Sequence, residues 1–191
     1  MPGHELLGEE EKQALIDLFN QGAVLYRYGL NDRRKNIFRV DEFEKAMASR
    51  VGSKHALCVC NGTAALKLAL MSVGVSPGDE VITQSFTFIA TVEAILELGA
   101  RPVITEIDES LNMDPEDLRR CFSSRTKAIV PVHMAGVSAR MDEILAIAQE
   151  KNVPVVEDSA QALGGTYHGK SLGTLGRAGI YSLDIGKVIT T

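Results

Sequence analysis

The stretch EVITQSFTFIATVEAILELGARPVITEI, residues 80–107, reads strand, helix, strand. EVITQ (80–84) and RPVITEI (101–107) are short runs rich in β-branched residues, which suit a pleated, half-buried surface. Between them IATVEAILELG (89–99) spaces its apolar residues at a helical period and stops at Gly99, which tolerates the left-handed conformation that ends a helix. Two strands joined through one helix cannot form a tight hairpin. They are the repeating unit of a parallel α/β sheet.

Outward from this unit the alternation continues. HALCVC (55–60), KAIVPV (127–132) and NVPVVE (152–157) read as further strands. TAALKLALMSV (63–73), PEDLRRCF (115–122) and MDEILAIAQEK (141–151) read as further helices, with Asp114 as an N-cap, Pro115 at the first helical position and Gly74 as a stop. The expected fold is α/β: a mostly parallel sheet with helices on both faces and any ligand at the carboxyl ends of the strands.

The flanks read differently. EEEKQALIDLFN (9–20) is a helix carrying Leu15, Leu18 and Phe19, stopped at Gly22. GAVLYRYGLNDRRKNIFRV (22–40) mixes Tyr26, Tyr28 and Phe38 with basic residues and suits an arm lying across a partner subunit. Residues 1–39 are therefore set apart from a domain of residues 40–191, which opens on the helix DEFEKAMASR (41–50). Beyond Glu157 the chain is rich in glycine and turns, without a long helix, and function is expected there.

With 45% hydrophobic and 24% charged residues, the 191-residue chain has the composition of a folded domain rather than a disordered one. Its formal net charge of −5 offers no positive field for nucleic acid. No apolar run is long enough to span a bilayer, and the start Met1-Pro2-Gly3-His4-Glu5 is not a signal peptide, so a cytoplasmic protein with no membrane partner is expected. Cys58, Cys60 and Cys121 are odd in number. Cys58 and Cys60 share one strand face and read as small buried side chains, not as a metal pair.

Gly164 to Ser171, GGTYHGKS, fits the phosphate-loop pattern G-x-x-x-x-G-K-[ST]. That motif needs a strand running into the loop and a helix leaving it, so that the helix amino terminus faces the phosphates. SAQAL intervenes after the strand and SLGTLG follows, so the match reads as a turn between short extended segments.

A more consistent set begins at NGTAAL (61–66), between a strand end and a helix start. Gly62 lets the backbone approach an anion, Thr63 can cap the helix, and the free N–H groups form a phosphate site; an ordinary strand-to-helix turn is the competing reading. Asp158 ends a strand, where it could keep a pyridine nitrogen protonated or simply cap Ser159-Ala160-Gln161. Lys187 has Ile185, Val188 and Ile189 as neighbours that could desolvate it for Schiff-base chemistry, against the alternative of a solvated surface lysine.

Together with SFTFIAT (85–91), PVHMAG (131–136), EDSAQALG (157–164) and YSLDIGKVITT (181–191), these residues resemble the DegT/DnrJ/EryC1/StrS sugar aminotransferases, a family of fold-type I pyridoxal-phosphate enzymes. The resemblance runs from about Phe38 to Thr191. It implies pyridoxal 5'-phosphate as cofactor, Lys187 as its Schiff-base partner and proton shuttle, and Asp158 at the ring nitrogen. Phe88 would stack on the ring, Gln161 would bond near the phenolic oxygen, Gly62, Thr63 and Ser182 would hold the phosphate, and His133 would either touch the cofactor or serve a structural role. A lysine at 187, where related sugar dehydratases carry histidine, implies transamination. The substrates implied are an amino donor, glutamate, and a nucleotide-linked keto sugar, and the assembly implied is a homodimer.

Asn61 stands where the family has serine, Gln84 where it has proline, and Arg140 and Arg177 where it has acidic residues. A cation at residue 140, beside a helix amino terminus, is opposed by the helix dipole. The family also continues beyond residue 191. Residues 40–191 are thus expected to be an incomplete cofactor-binding large domain, without the small carboxyl-terminal domain and with part of each site missing. Two other readings are a catalytically incomplete fragment or non-enzymatic regulator that keeps the fold, and a phosphate-loop nucleotidase.

Overall fold

A computed structural model describes residues 3–190. Its centre is β1 (Glu80–Gln84), buried at all five positions. β2 (Arg101–Thr105) and β3 (Thr126–Val130) pair with it in parallel on either side. β4 (Val156–Asp158) lies beside β3 through the parallel bridges Ile129 to Val155 and Val132 to Asp158, and β7 (Ala178–Ile180) pairs in parallel with β4. The spatial order is β2, β1, β3, β4, β7. The expected parallel sheet is present.

Alternation along the strands sends side chains to two cores. Val81, Ala128, Val130, Val156 and Ile180 pack under α3 (Gly62–Ser72) and α4 (Ala90–Glu97), against Leu66, Leu70, Ala94 and Ile95. Ile82, Ile129 and Val155 face the other way, against Leu118 of the short α5 (Pro115–Leu118) and Met141, Ile144 and Ile147 of α6 (Met141–Lys151). Burying each such valine, leucine, isoleucine or methionine side chain stabilises the fold by roughly 1.5–3 kcal/mol, so helices on both faces are what this pattern requires.

Several expectations are corrected. HALCVC (55–60) belongs to no strand, because no described segment offers it a ladder. The Cys58 amide instead donates to Glu44 Oε1 (2.6 Å), and Arg27 Nη1 donates to the Cys58 carbonyl (3.4 Å). Cys60 is exposed and Cys58 half-buried, so the two are not a buried pair. PEDLRRCF keeps one helical turn, with Asp114 capping the Glu116 amide at 3.0 Å. β7 has no counterpart in the sequence reading; its Gly179 is needed because a Cβ there would collide with the Gly173 carbonyl.

The phosphate-loop match is a hairpin. β5 (Thr166–Tyr167) and β6 (Lys170–Ser171) pair antiparallel across His168 and Gly169, whose φ values of 49° and 78° are those of a tight two-residue turn. No helix follows Ser171 among the described residues. Arg140, expected to clash with a helix dipole, does precede α6, but it lies within 3.2 Å of Asp108 and of Asp114 and 3.4 Å from Glu143. Three carboxylates offset the dipole.

α1 (Glu9–Asn20) forms as expected and buries none of its residues; Leu15 and Phe19 are 60% and 65% exposed. The arm between it and α2 (Arg39–Val51) folds around Arg34, which is buried over the Phe38 ring and donates to the carbonyls of Tyr26, Arg27 and Tyr28. No helix among the described residues is long and apolar enough to cross a membrane.

Candidate active site

The carboxyl ends of the parallel strands collect most of the expected site residues. At the start of α3 the cap is Asn61, not Thr63: its Oδ1 accepts from the Ala64 amide at 2.8 Å. The amides of Gly62 and Thr63, in the first turn, make no hydrogen bond among the described residues. A Cβ built on Gly62 would lie 3.6 Å from the Ser182 Cβ and 3.7 Å from its Oγ. Two free amides, a helix amino terminus and a serine hydroxyl thus share one small cradle. It has the donor set of an anion site.

Asp158 ends β4 and is only 4% exposed. Its Oδ2 accepts from the Thr91 hydroxyl at 2.7 Å and its Oδ1 from the Ala160 amide at 3.1 Å. Burial pushes this carboxyl above the usual carboxylate range, while the Thr91 and Ala160 donors and the charge of Lys187 pull it back. The competing capping role is also real, since the Ala160 bond is a local turn contact. One residue does both.

His133 is wholly buried. Its own amide donates to the Asp158 carbonyl at 3.0 Å, and the Ala139 amide donates to Nδ1 at 3.2 Å. Nε2 therefore carries the proton and donates to Glu157 Oε2 at 3.0 Å. Both ring nitrogens are used and no ring surface remains for a cofactor, which corrects the expectation of direct contact. Glu157, not anticipated from the sequence, also accepts from the amides of Gly173 (2.8 Å), Leu175 (2.6 Å) and Gly176 (2.7 Å). It pins the glycine-rich turn to the end of β4. The only sequence signal was a second carboxylate beside Asp158.

Gln161, Ser182 and Lys187 line one cleft of about 280 Å³ together with Ala135, Ala160 and Gly186. Gln161 Oε1 accepts from the Ala135 amide at 2.9 Å, which leaves its NH2 group to donate into the cleft. Lys187 is half-buried and has no ion-pair partner among the described residues. Of the expected apolar neighbours Val188 lines the same cleft, but Ile185, Val188 and Ile189 all stay exposed, so they do not enclose the amine. Its main chain is held by the amide of Gly3, which donates to the Lys187 carbonyl at 2.7 Å, while His4 Nδ1 donates to the Ile185 carbonyl at 2.8 Å.

Phe88 follows β1 and is 65% exposed, with its ring turned to solvent rather than into the cleft lining. Gln84, where proline was expected, is fully buried: Oε1 accepts from the amides of Met113 and Val132, and Nε2 donates to the carbonyls of Phe86 and Leu111. It fastens the strand ends beneath the site.

Comparison with known proteins agrees with this geometry. Residues 31–191 match the DegT/DnrJ/EryC1/StrS aminotransferase family. GDP-perosamine synthase of Caulobacter vibrioides is 46% identical over 151 residues, which are 78% of this chain and 41% of that protein. The crystal structure of an aminotransferase from Psychrobacter cryohalolentis superposes with a TM-score of 0.87 at 36% identity, covering 96% of this chain and 45% of that one. A candidate sugar aminotransferase of Streptococcus pneumoniae, solved in its PLP form, gives 0.87 at 28% identity, covering 96% and 48%. The chain spans less than half the length of each.

Proposed function

Because the chain belongs to the DegT/DnrJ/EryC1/StrS aminotransferase family, we propose that it forms the cofactor-binding part of a pyridoxal 5'-phosphate-dependent aminotransferase that moves an amino group from glutamate to the keto group of a nucleotide-linked sugar. The observation that carries this reading is the convergence of Lys187, Ser182 and Gln161 on one cleft beside the buried Asp158 carboxylate. Similarity to GDP-perosamine synthase supports a sugar nucleotide as acceptor.

The residues present fit the cofactor. The Gly62 and Thr63 amides and the Ser182 hydroxyl would hold its phosphate in the cradle that a Cβ on Gly62 would fill. Asp158, acceptor-only when ionised, would hold a proton on the ring nitrogen, and the Gln161 NH2 group would donate to the ring oxygen. Phe88, free at the end of β1, would cover the ring face and exclude water. Lys187 would tether the cofactor through Nζ and, once released, accept and return the proton of the donor's α carbon. When bound, the cofactor supplies the electron sink that makes that proton acidic.

His133 acts through Glu157 and the Asp158 main chain rather than on the cofactor. We assign residues 1–39 to an amino-terminal helix and arm and residues 40–191 to the cofactor-binding large domain, incomplete relative to the longer relatives. The exposed apolar face of α1 and the outward Tyr26 and Tyr28 support a homodimer in which the arm crosses to its partner. A sugar nucleotide and a phosphorylated cofactor are both charged metabolites retained inside cells, which supports a cytoplasmic protein.

The test is titration of the purified chain with pyridoxal 5'-phosphate, borohydride reduction and peptide mass mapping. A saturable absorbance change with the label on Lys187 is expected. No saturable binding, or label spread over surface lysines, would overturn the reading.

A further inference from the structure

Thr91 lies in the first turn of α4, is 1% exposed, and spends its only polar side-chain atom on two neighbours. Its Oγ1 is 2.7 Å from Asp158 Oδ2 and 2.9 Å from Thr87 Oγ1. Each hydroxyl has one proton. An ionised carboxylate can only accept, so Thr91 donates to Asp158, and the Thr87–Thr91 contact then runs with Thr87 as donor. Thr87 can otherwise turn to the Phe88 carbonyl at 3.3 Å. A directed chain of hydroxyls links the loop carrying Phe88 to the buried carboxylate.

We propose that Thr91 is a positioning residue for the cofactor ring: it orients Asp158 and couples that carboxylate to the loop carrying the stacking aromatic. The proposal rests on the cofactor reading above and deepens it. Oδ2 is held by Thr91 and Oδ1 by the Ala160 amide, so the plane of the carboxylate is set before any ring nitrogen approaches. The donated hydroxyl also favours the charged form of a group that burial drives toward protonation. The other titratable groups around Asp158 are Lys187, whose charge acts in the same sense, His133, neutral with its proton on Nε2, and Glu157, the next residue in β4, whose carboxylate is occupied by His133 and three amides. Thr91 is thus the one hydroxyl bonded to Asp158 among the described residues.

The experiment compares Thr91→Val, Thr91→Ser and Thr87→Val with the unaltered chain by pyridoxal 5'-phosphate titration and by the nitrogen-15 shift of ring-labelled cofactor across pH 5–9. Thr91→Val is expected to weaken cofactor binding about ten- to a hundred-fold, the loss of one hydrogen bond to a charged group, and to let the ring nitrogen lose its proton within that range. Thr91→Ser restores both. Thr87→Val, at a half-exposed site where folding is not at stake, weakens binding about two- to five-fold by removing the first link alone.

Binding and ring protonation that are unchanged in Thr91→Val overturn the proposal while leaving the cofactor reading intact. If Thr91→Val does not fold, unchanged cofactor binding in Thr87→Val, or failure of Thr91→Ser to bind, overturns it. If the unaltered chain does not bind the cofactor at all, the reading and the proposal both fall, a result read separately from the absence of label on Lys187.

Discussion

Glu157 and Asp158 are adjacent in the chain and point to opposite tasks, because successive strand residues face opposite sides of the sheet. Asp158 turns toward Thr91 and the cleft; Glu157 turns toward His133 and the amides of Gly173, Leu175 and Gly176. All four donors to Glu157 have a proton directed at it. Replacing one carboxylate oxygen with an NH2 group sets donor against donor in a fully buried place. Glu157→Gln should lower unfolding free energy by about 3 kcal/mol, measured by urea denaturation. A loss below roughly 0.5 kcal/mol, the range of ordinary surface substitutions, would show that the turn is not held this way.

At the scale of elements, α3 depends on how its first turn is closed. Asn61 satisfies the Ala64 amide and leaves those of Gly62 and Thr63 free, so the cap and the anion cradle are built from the same few residues. Asn61→Ala should cost about 1 kcal/mol in thermal or urea unfolding, and Asn61→Ser should leave stability within a few tenths of the parent value, because either side-chain oxygen can accept from that amide. Equal stability of the alanine and serine variants would deny Asn61 its capping role. The HALCVC segment (55–60) shows the opposite dependence: its composition suits a strand, yet strand formation needs a neighbour, and side chains of Glu44 and Arg27 take the polar groups of Cys58 instead.

For the whole molecule, the candidate site and the buried Glu80 network lie at opposite ends of the sheet. At the amino end of β1 the buried Glu80 accepts from Arg101, Ser123 and Arg125, and these bonds, Arg101 first, hold its pKa at about 2 against an ordinary 4.5. Since the folded-state value is depressed, this contribution is fully present above pH 4.5 and is lost as pH falls toward 2. Denaturation followed over that window should show falling stability that flattens in Glu80→Gln, and the effect should shrink in high salt, because both arginines are largely exposed. An unaltered acid profile in the variant would assign the pH dependence to other carboxylates.

Phe88, Gln161 and Ser182 were legible only through the resemblance of whole motifs to a family, whereas the local pattern of the chain was enough to specify the α/β class, the parallel sheet, the capped α5 and the leading helix. Each of these is set by periodicity, capping or turn chemistry within a few residues, where sequence and conformation are directly coupled. Tertiary structure alone decided that HALCVC has no ladder, that Ala178–Ile180 joins β4, that Arg140 is balanced by three carboxylates and that His133 faces Glu157 instead of the cleft. It also decided that Thr91, 67 residues away from Asp158, is its hydroxyl partner. In each case the deciding contact is with a group distant in the chain, so only the packed fold determines whether a polar group finds a partner or a strand finds a neighbour.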